Sequence, residues 1–207
     1  MPIAILDYDM ANLRSVQKAF EHVGAAARII SRPEEVDEAD QLVLPGVGAF
    51  ADAVATLRER GLDESIRRHV ARGKPLLGIC LGLQILFETG YEDGQHTGLG
   101  ILKGKCVRFD VDQTHGLKVP HMGWNQLTMR KPSPLLKDLP PESSVYFVHG
   151  YHVVPQDDSI IATTTDYGGD FVSSIYQDNL MAVQFHPEKS QAVGLKMLAN
   201  FATMRAT

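Results

Sequence analysis

The chain has 207 residues, of which 44% are hydrophobic and 22% charged, with a net charge of −5 at pH 7; these are ordinary values for one globular domain over residues 1–207, and the acidic balance argues against a nucleic-acid partner. No apolar run nears the ~20 residues of a membrane span, so no membrane association is expected. Two cysteines cannot build a disulfide framework, and the Met1–Asp7 start lacks the basic and apolar regions of a signal peptide, so the expected compartment is a reducing cytoplasm.

Ile3–Leu6 reads as a short apolar strand. Ala11–Val23 has helical spacing, with Leu13, Val16, Phe20 and Val23 on one stripe and Gly24 to end it. Ala27–Ile30 is a second strand, and Gln41–Leu44 a third, stopped by Pro45-Gly46. Phe50–Arg60 and Leu62–Arg72 are helices parted by Gly61, and Lys74–Ile79 is a strand. This alternation predicts an α/β fold: a mixed, largely parallel central sheet flanked by helices. The polar run Glu92–Gly98 reads as a surface loop. Shorter strands follow at Gly104–Phe109, Gln126–Arg130, Ser144–Val148, Ile160–Thr165, Phe171–Tyr176 and Met181–Gln184. Ala192–Thr203 closes as a helix carrying Leu195, Leu198 and Phe201.

The run Pro75–Gln84 joins an apolar strand to a helix through Cys80, with Gly78 and Gly82 two residues to either side. This is a nucleophile elbow with a thiol at its tip. Glycines leave room for a tight strand-to-helix turn, and the helix start favours a thiolate. Cys106 lies in an apolar strand without such glycines and reads as a small buried hydrophobe. Far downstream, Met181–Glu188 is a strand running into His186-Pro187-Glu188. His186 could take the thiol proton and return it to a leaving amine, while Glu188 fixes the imidazole tautomer. An attacked amide needs two oxyanion donors. The Leu81 N–H comes with the elbow, and the Pro45-Gly46-Val47-Gly48-Ala49-Phe50 loop offers the second. His149 and His152 lack further ligands nearby and read as structural, so no metal or cofactor is expected.

Together the elbow, the glycine loop and the His-Pro-Glu turn resemble the class I, or triad, glutamine amidotransferases, in that family's order and over almost the whole chain. Three further stretches narrow the resemblance to its branch of glutaminase subunits from imidazole glycerol phosphate synthases: Asp7–Val16, the Pro-Gly-Val-Gly form of the loop, and Pro120–Asn125 followed by Tyr146–Tyr151. The resemblance implies a Cys80–His186–Glu188 triad, with oxyanion donors from Leu81 and the Val47–Gly48 peptide. It implies glutamine contacts from Gly48, Gln84 and the backbone of Gly150 and Tyr151; Gly150 stands where relatives often carry serine or threonine. It also implies that Asn12, Trp124, Tyr146 and Lys189 face a (β/α)8-barrel cyclase at the mouth of an ammonia passage, in a one-to-one heterodimer. Three other readings stay open: the glutaminase subunit of an anthranilate or aminodeoxychorismate synthase, a stand-alone γ-glutamyl hydrolase, and a catalytically idle interaction module.

Overall fold

The computed structural model describes residues 2–111 and 116–205. The first half alternates β1 (Ile3–Leu6), α1 (Leu13–His22), β2 (Ala27–Ile30), α2 (Pro33–Glu38), β3 (Leu42–Gly46), α3 (Phe50–Glu59), α4 (Leu62–Ala71), β4 (Leu76–Cys80) and α5 (Leu81–Gln84). The second half is strand-rich: β5 (Phe87–Gly90), β6 (His96–Thr97), β7 (Leu102–Arg108), β8 (His121–Gln126), β9 (Thr128–Met129), β10 (Ser144–His149), β11 (Tyr151–Pro155), β12 (Ile161–Asp166), β13 (Asp170–Gln177) and β14 (Leu180–Val183), then α6 (Gln191–Ala202).

Strand order in the main sheet is β2-β1-β3-β4-β14-β13-β11-β7-β5-β6, with β12 branching from β13 and β9 pairing β12. The first five strands run parallel, and antiparallel pairing begins at β14–β13. Successive side chains of a strand point to opposite faces. Ala4, Leu6, Leu42, Leu44 and Leu76 accordingly pack under α2, α3 and α4, whereas Ile3, Ile5, Val43, Leu77 and Ile79 pack under α1 and α6. Both faces are covered, which is why these strands read as unbroken apolar runs. Phe20 of α1 meets Phe201 of α6 at 6.2 Å between ring centroids and closes the second layer.

The structure corrects several sequence expectations. Gln126–Arg130 is not one strand. β8 ends at Gln126 and pairs with β10 in a separate two-stranded sheet, whereas β9 joins the main sheet beside β12. Buried Leu127 marks the change of sheet. The helix after the elbow is a single turn, because the chain re-enters the sheet as β5. Part of the Glu92–Gly98 run is strand β6, antiparallel to β5. The short elements α2, β5 and β11 carry too few residues to show a period. Among the described residues, no helix is long and apolar enough to cross a membrane.

Candidate active site

Cys80 ends β4 and begins α5 with φ +55° and ψ −110°. Such backbone strain costs on the order of 1–3 kcal/mol and persists only where surrounding packing enforces it. The flanking glycines are sterically required. A Cβ on Gly82 would strike the Leu44 carbonyl oxygen, and one on Gly78 would lie 2.9 Å from Ala182 Cβ and 3.0 Å from the Gly82 oxygen. Leu81 is the first residue of α5, so its N–H has no acceptor one turn back within that helix.

Parallel pairing of β14 with β4 puts Val183 opposite Ile79. The chain leaving β14 therefore reaches His186 beside the elbow. The His186 N–H donates to the Tyr146 carbonyl at 2.9 Å. The Ser190 hydroxyl donates to the His186 carbonyl at 2.7 Å and accepts the Tyr146 N–H at 3.0 Å. These three bonds tie the turn to β10. His186 Nδ1 lies 2.8 Å from Glu188 Oε1, with the two side chains 4% and 2% exposed. Burial pulls the His186 pKa down, but the Cys80 sulfur and then the Glu188 carboxylate outweigh it and raise the pKa to about 10. Nε2 meets no partner at hydrogen-bond geometry among the described residues.

A cavity of about 320 Å³ opens onto this pair. Cys80, Leu81, Gln84, Gly150, Tyr151 and His186 line it, with Val47, Gly48 and Lys189 along one wall. Gln84 is buried, and its Nε2 donates to the Tyr151 carbonyl at 3.1 Å. The Gly150 carbonyl accepts the Phe109 N–H at 3.1 Å, and a Cβ there would have one neighbour within 4 Å, so glycine is not sterically required. A larger cavity of about 930 Å³ lies against Arg130, Leu136 and Tyr176, but neither cysteine nor histidine lines it.

One N–H of the expected donor loop is engaged elsewhere. The Val47 N–H donates to the Met10 carbonyl at 2.7 Å. A backbone donor takes the nearest acceptor when no oxyanion is present. Gly48 has φ +102°, and a Cβ on it would lie 2.8 Å from Met10 Cε, so glycine serves both the turn and the close approach.

Of the residues expected to face a partner, Trp124 and Tyr146 are cross-strand neighbours whose rings meet edge-on at 6.3 Å. Lys189 Nζ lies 5.8 Å from the Tyr146 ring centroid. Trp124 is 48% exposed and Met122 63%, which removes the reading of Trp124 as core. Asn12 and Lys189 line a crevice of about 20 Å³ with Val47, His186 and Glu188.

Several residues of the site escaped sequence reading. The Tyr8 hydroxyl donates to the Pro45 carbonyl at 2.8 Å and braces the start of the loop. Burial, with the Cys80 charge adding, pushes its phenol pKa far up, so it stays a neutral donor. Glu92 accepts the Phe50 N–H at 2.7 Å and lines the cavity. Its place in a polar run had suggested only solvent. Ser190 and Gln184 carry no signal outside the His-Pro-Glu context.

Residues 4–204 match the family described as Glutamine amidotransferase class-I. The chain is 55% identical, over 98% of its length and 100% of the relative's, to the imidazole glycerol phosphate synthase subunit HisH of Syntrophotalea carbinolica. It is 56% identical to the subunit of that name from Aquifex aeolicus, over 97% of this chain and 96% of the relative. The PurLQS structure from Thermotoga maritima shares the fold at a TM-score of 0.76 and 20% identity, covering 97% of each chain. A crystal structure of a glutamine amidotransferase does so at 0.71 and 19%, covering 98% of this chain and 100% of that one. The chain belongs to the class-I glutamine amidotransferases and, within them, to the family of imidazole glycerol phosphate synthase HisH subunits.

Proposed function

We propose that this chain hydrolyses the side-chain amide of glutamine and delivers the ammonia to a (β/α)8-barrel cyclase that makes imidazole glycerol phosphate and an aminoimidazole carboxamide ribotide, in histidine biosynthesis. The observation that carries the reading is Cys80, on a strained elbow, sharing one cavity with a histidine whose pKa is raised by that sulfur and by Glu188. Full-length identity to HisH subunits supports the choice of partner and pathway.

In the resting site, the raised His186 pKa keeps a proton on the imidazole, and the thiolate form of Cys80 is the nucleophile. The thiolate attacks the glutamine Cδ, and the carbonyl oxygen becomes an oxyanion held by the Leu81 N–H and a second donor from the Val47–Gly48 loop. His186 gives its proton to the amide nitrogen, the C–N bond breaks, and ammonia leaves a glutamyl thioester on Cys80. Water then attacks the thioester as His186 takes its proton. The C–S bond breaks, and glutamate and the thiolate are released. Gln84 and the Gly150–Tyr151 backbone would hold the substrate, and Glu92 offers its α-ammonium a carboxylate.

The ammonia must stay neutral, because ammonium is not a nucleophile. The crevice lined by Asn12, Lys189 and Val47 has room for about one small molecule, and Trp124 and Met122 supply the exposed apolar surface that a docked partner would cover. With the Val47 N–H committed to Met10, the loop is held by a bond it must give up before that N–H can serve an oxyanion, so the chain alone is a poor glutaminase and the docked partner must release the loop. Glutamine turnover should be measured for the chain alone, for the complex, and for Cys80→Ala in the complex. The complex should be fast, the lone chain slow, and Cys80→Ala inactive with glutamine while added ammonia still supports synthesis. Full glutamine activity in Cys80→Ala would end the assignment.

A further inference from the structure

Backbone carbonyls fix the direction of a hydrogen-bond chain that ends on Cys80. A carbonyl oxygen can only accept. The Tyr151 oxygen lies 2.7 Å from His149 Nδ1, so His149 carries its proton there. Burial holds the His149 pKa down to about 3. The ring is therefore neutral, and its Nε2 is an acceptor. His121 Nδ1, 3.1 Å away, is then the donor. Burial likewise holds the His121 pKa down to about 4. His121 Nε2 therefore accepts, from Asn125 Nδ2 at 3.4 Å. Asn125 cannot be turned round, because Nδ2 also donates to the Asp166 carbonyl at 2.8 Å and Oδ1 accepts the Gln126 N–H at 2.8 Å.

The same Tyr151 oxygen fixes the other branch. It accepts from Gln84 Nε2, whose NH2 group also reaches Gln184 Oε1 at 3.2 Å. With its oxygen engaged, Gln184 must present its NH2 to the Cys80 sulfur, 3.8 Å away. Gln184 is fully buried, and Gln84, His121 and His149 nearly so, which strengthens the bonds among them. A donated hydrogen bond orients the sulfur and favours its charged form.

We propose that Gln184 is a positioning residue for Cys80, its amide held donor-first toward the sulfur by Gln84 and the Tyr151 carbonyl, which the Asn125–His121–His149 branch fixes in turn. The proposal rests on Cys80 being the nucleophile, yet it can be tested without glutamine.

The test is the rate at which iodoacetamide alkylates Cys80 in the intact chain, read by mass spectrometry on the Cys80 peptide. Cys106 is buried in β7, and burial pushes its thiol pKa far up, so it does not interfere. Gln184→Met keeps the volume and removes the donor. It should slow alkylation at pH 7 about tenfold and, in the complex, lower kcat for glutamine about tenfold with KM within twofold. A purely packing role for Gln184 would leave alkylation by the folded Met variant within twofold of native, and that result overturns the proposal. His121→Phe cuts the chain among the rings of Phe109, Phe147 and Phe171, and keeps the proposal testable if Gln184→Met does not fold. It should slow alkylation about threefold, and a native rate in that variant overturns the proposal equally. Slow alkylation with glutamine activity absent in every form would leave Gln184 in place and remove the glutaminase reading alone.

Discussion

His186 and the pair His121–His149 are buried alike, at 3%, 3% and 5% exposure, yet one is a cation and the others are neutral. His186 faces the Cys80 sulfur and the Glu188 carboxylate, which raise its pKa to about 10 against the pull of burial. His121 stacks on Phe147 at 4.8 Å, and both His121 and His149 sit among Phe109, Phe171 and each other. With no carboxylate to offset it, burial lowers their pKa values to about 4 and about 3. Burial alone therefore does not set the charge of a histidine. An anion brought within reach does, and the two regions divide their work accordingly. One keeps a proton ready to transfer, while the other keeps neutral rings whose hydrogen bonds have a fixed direction.

The largest test of this contrast is Glu188→Gln. It removes the carboxylate at His186 and should cut glutamine turnover in the complex about 10³-fold, in line with the loss of an orienting carboxylate elsewhere. The His186 pKa, followed by NMR, should fall; an unmoved value would show that Glu188 does not set its charge. Next in size is Trp124→Ala, on the exposed side of the strand that carries His121. It should weaken partner binding about 30-fold, on the order of 2 kcal/mol for an aromatic anchor. An unchanged dissociation constant by titration would confine that strand to the inner network. Glu92→Gln should raise KM for glutamine about tenfold with kcat within twofold, and an unchanged KM would leave Glu92 as a cap for α3 only.

The smallest effect is in stability. A histidine whose folded pKa is raised contributes fully below the unfolded value of about 6.5. For His186 that contribution fades as pH climbs to about 10. The neutral pair has the opposite sign. Its folded pKa values lie below the unfolded value, so stability falls as pH drops from about 6.5 toward 4. In urea unfolding across pH 4 to 10, His121→Phe should flatten the acid limb, by roughly half a molar in midpoint, and leave the alkaline limb alone. Flattening of the alkaline limb instead would break the division between the two regions.

Much of the fold was legible where local chemistry decides it. Ile3–Leu6 and Ala27–Ile30 formed strands over the expected residues, and the two helices around Gly61 formed with that glycine left-handed between them. The glycines about Cys80 announced a turn that sterics confirm atom by atom. The region after Gly98 was less legible, because its strands are short and change sheets. The break at Leu127 and the whole of β11 depend on partners distant in sequence, and β6 is a two-residue strand too short to show a period.

The site divides in the same way. Cys80, the glycine loop and the His-Pro-Glu turn each carry their own motif, because each needs particular residues to make its bend. The amino-acid order therefore determined the elbow, its nucleophile and the class of chemistry it can perform. Only the tertiary structure decided that β14 lies against β4, bringing His186 to the sulfur, that the Val47 N–H is tied to Met10, and that Gln184 faces Cys80. Such pairings join residues up to about a hundred positions apart. They are set by which strand edge, carbonyl or anion is left to satisfy once the core has closed, and no local pattern records that.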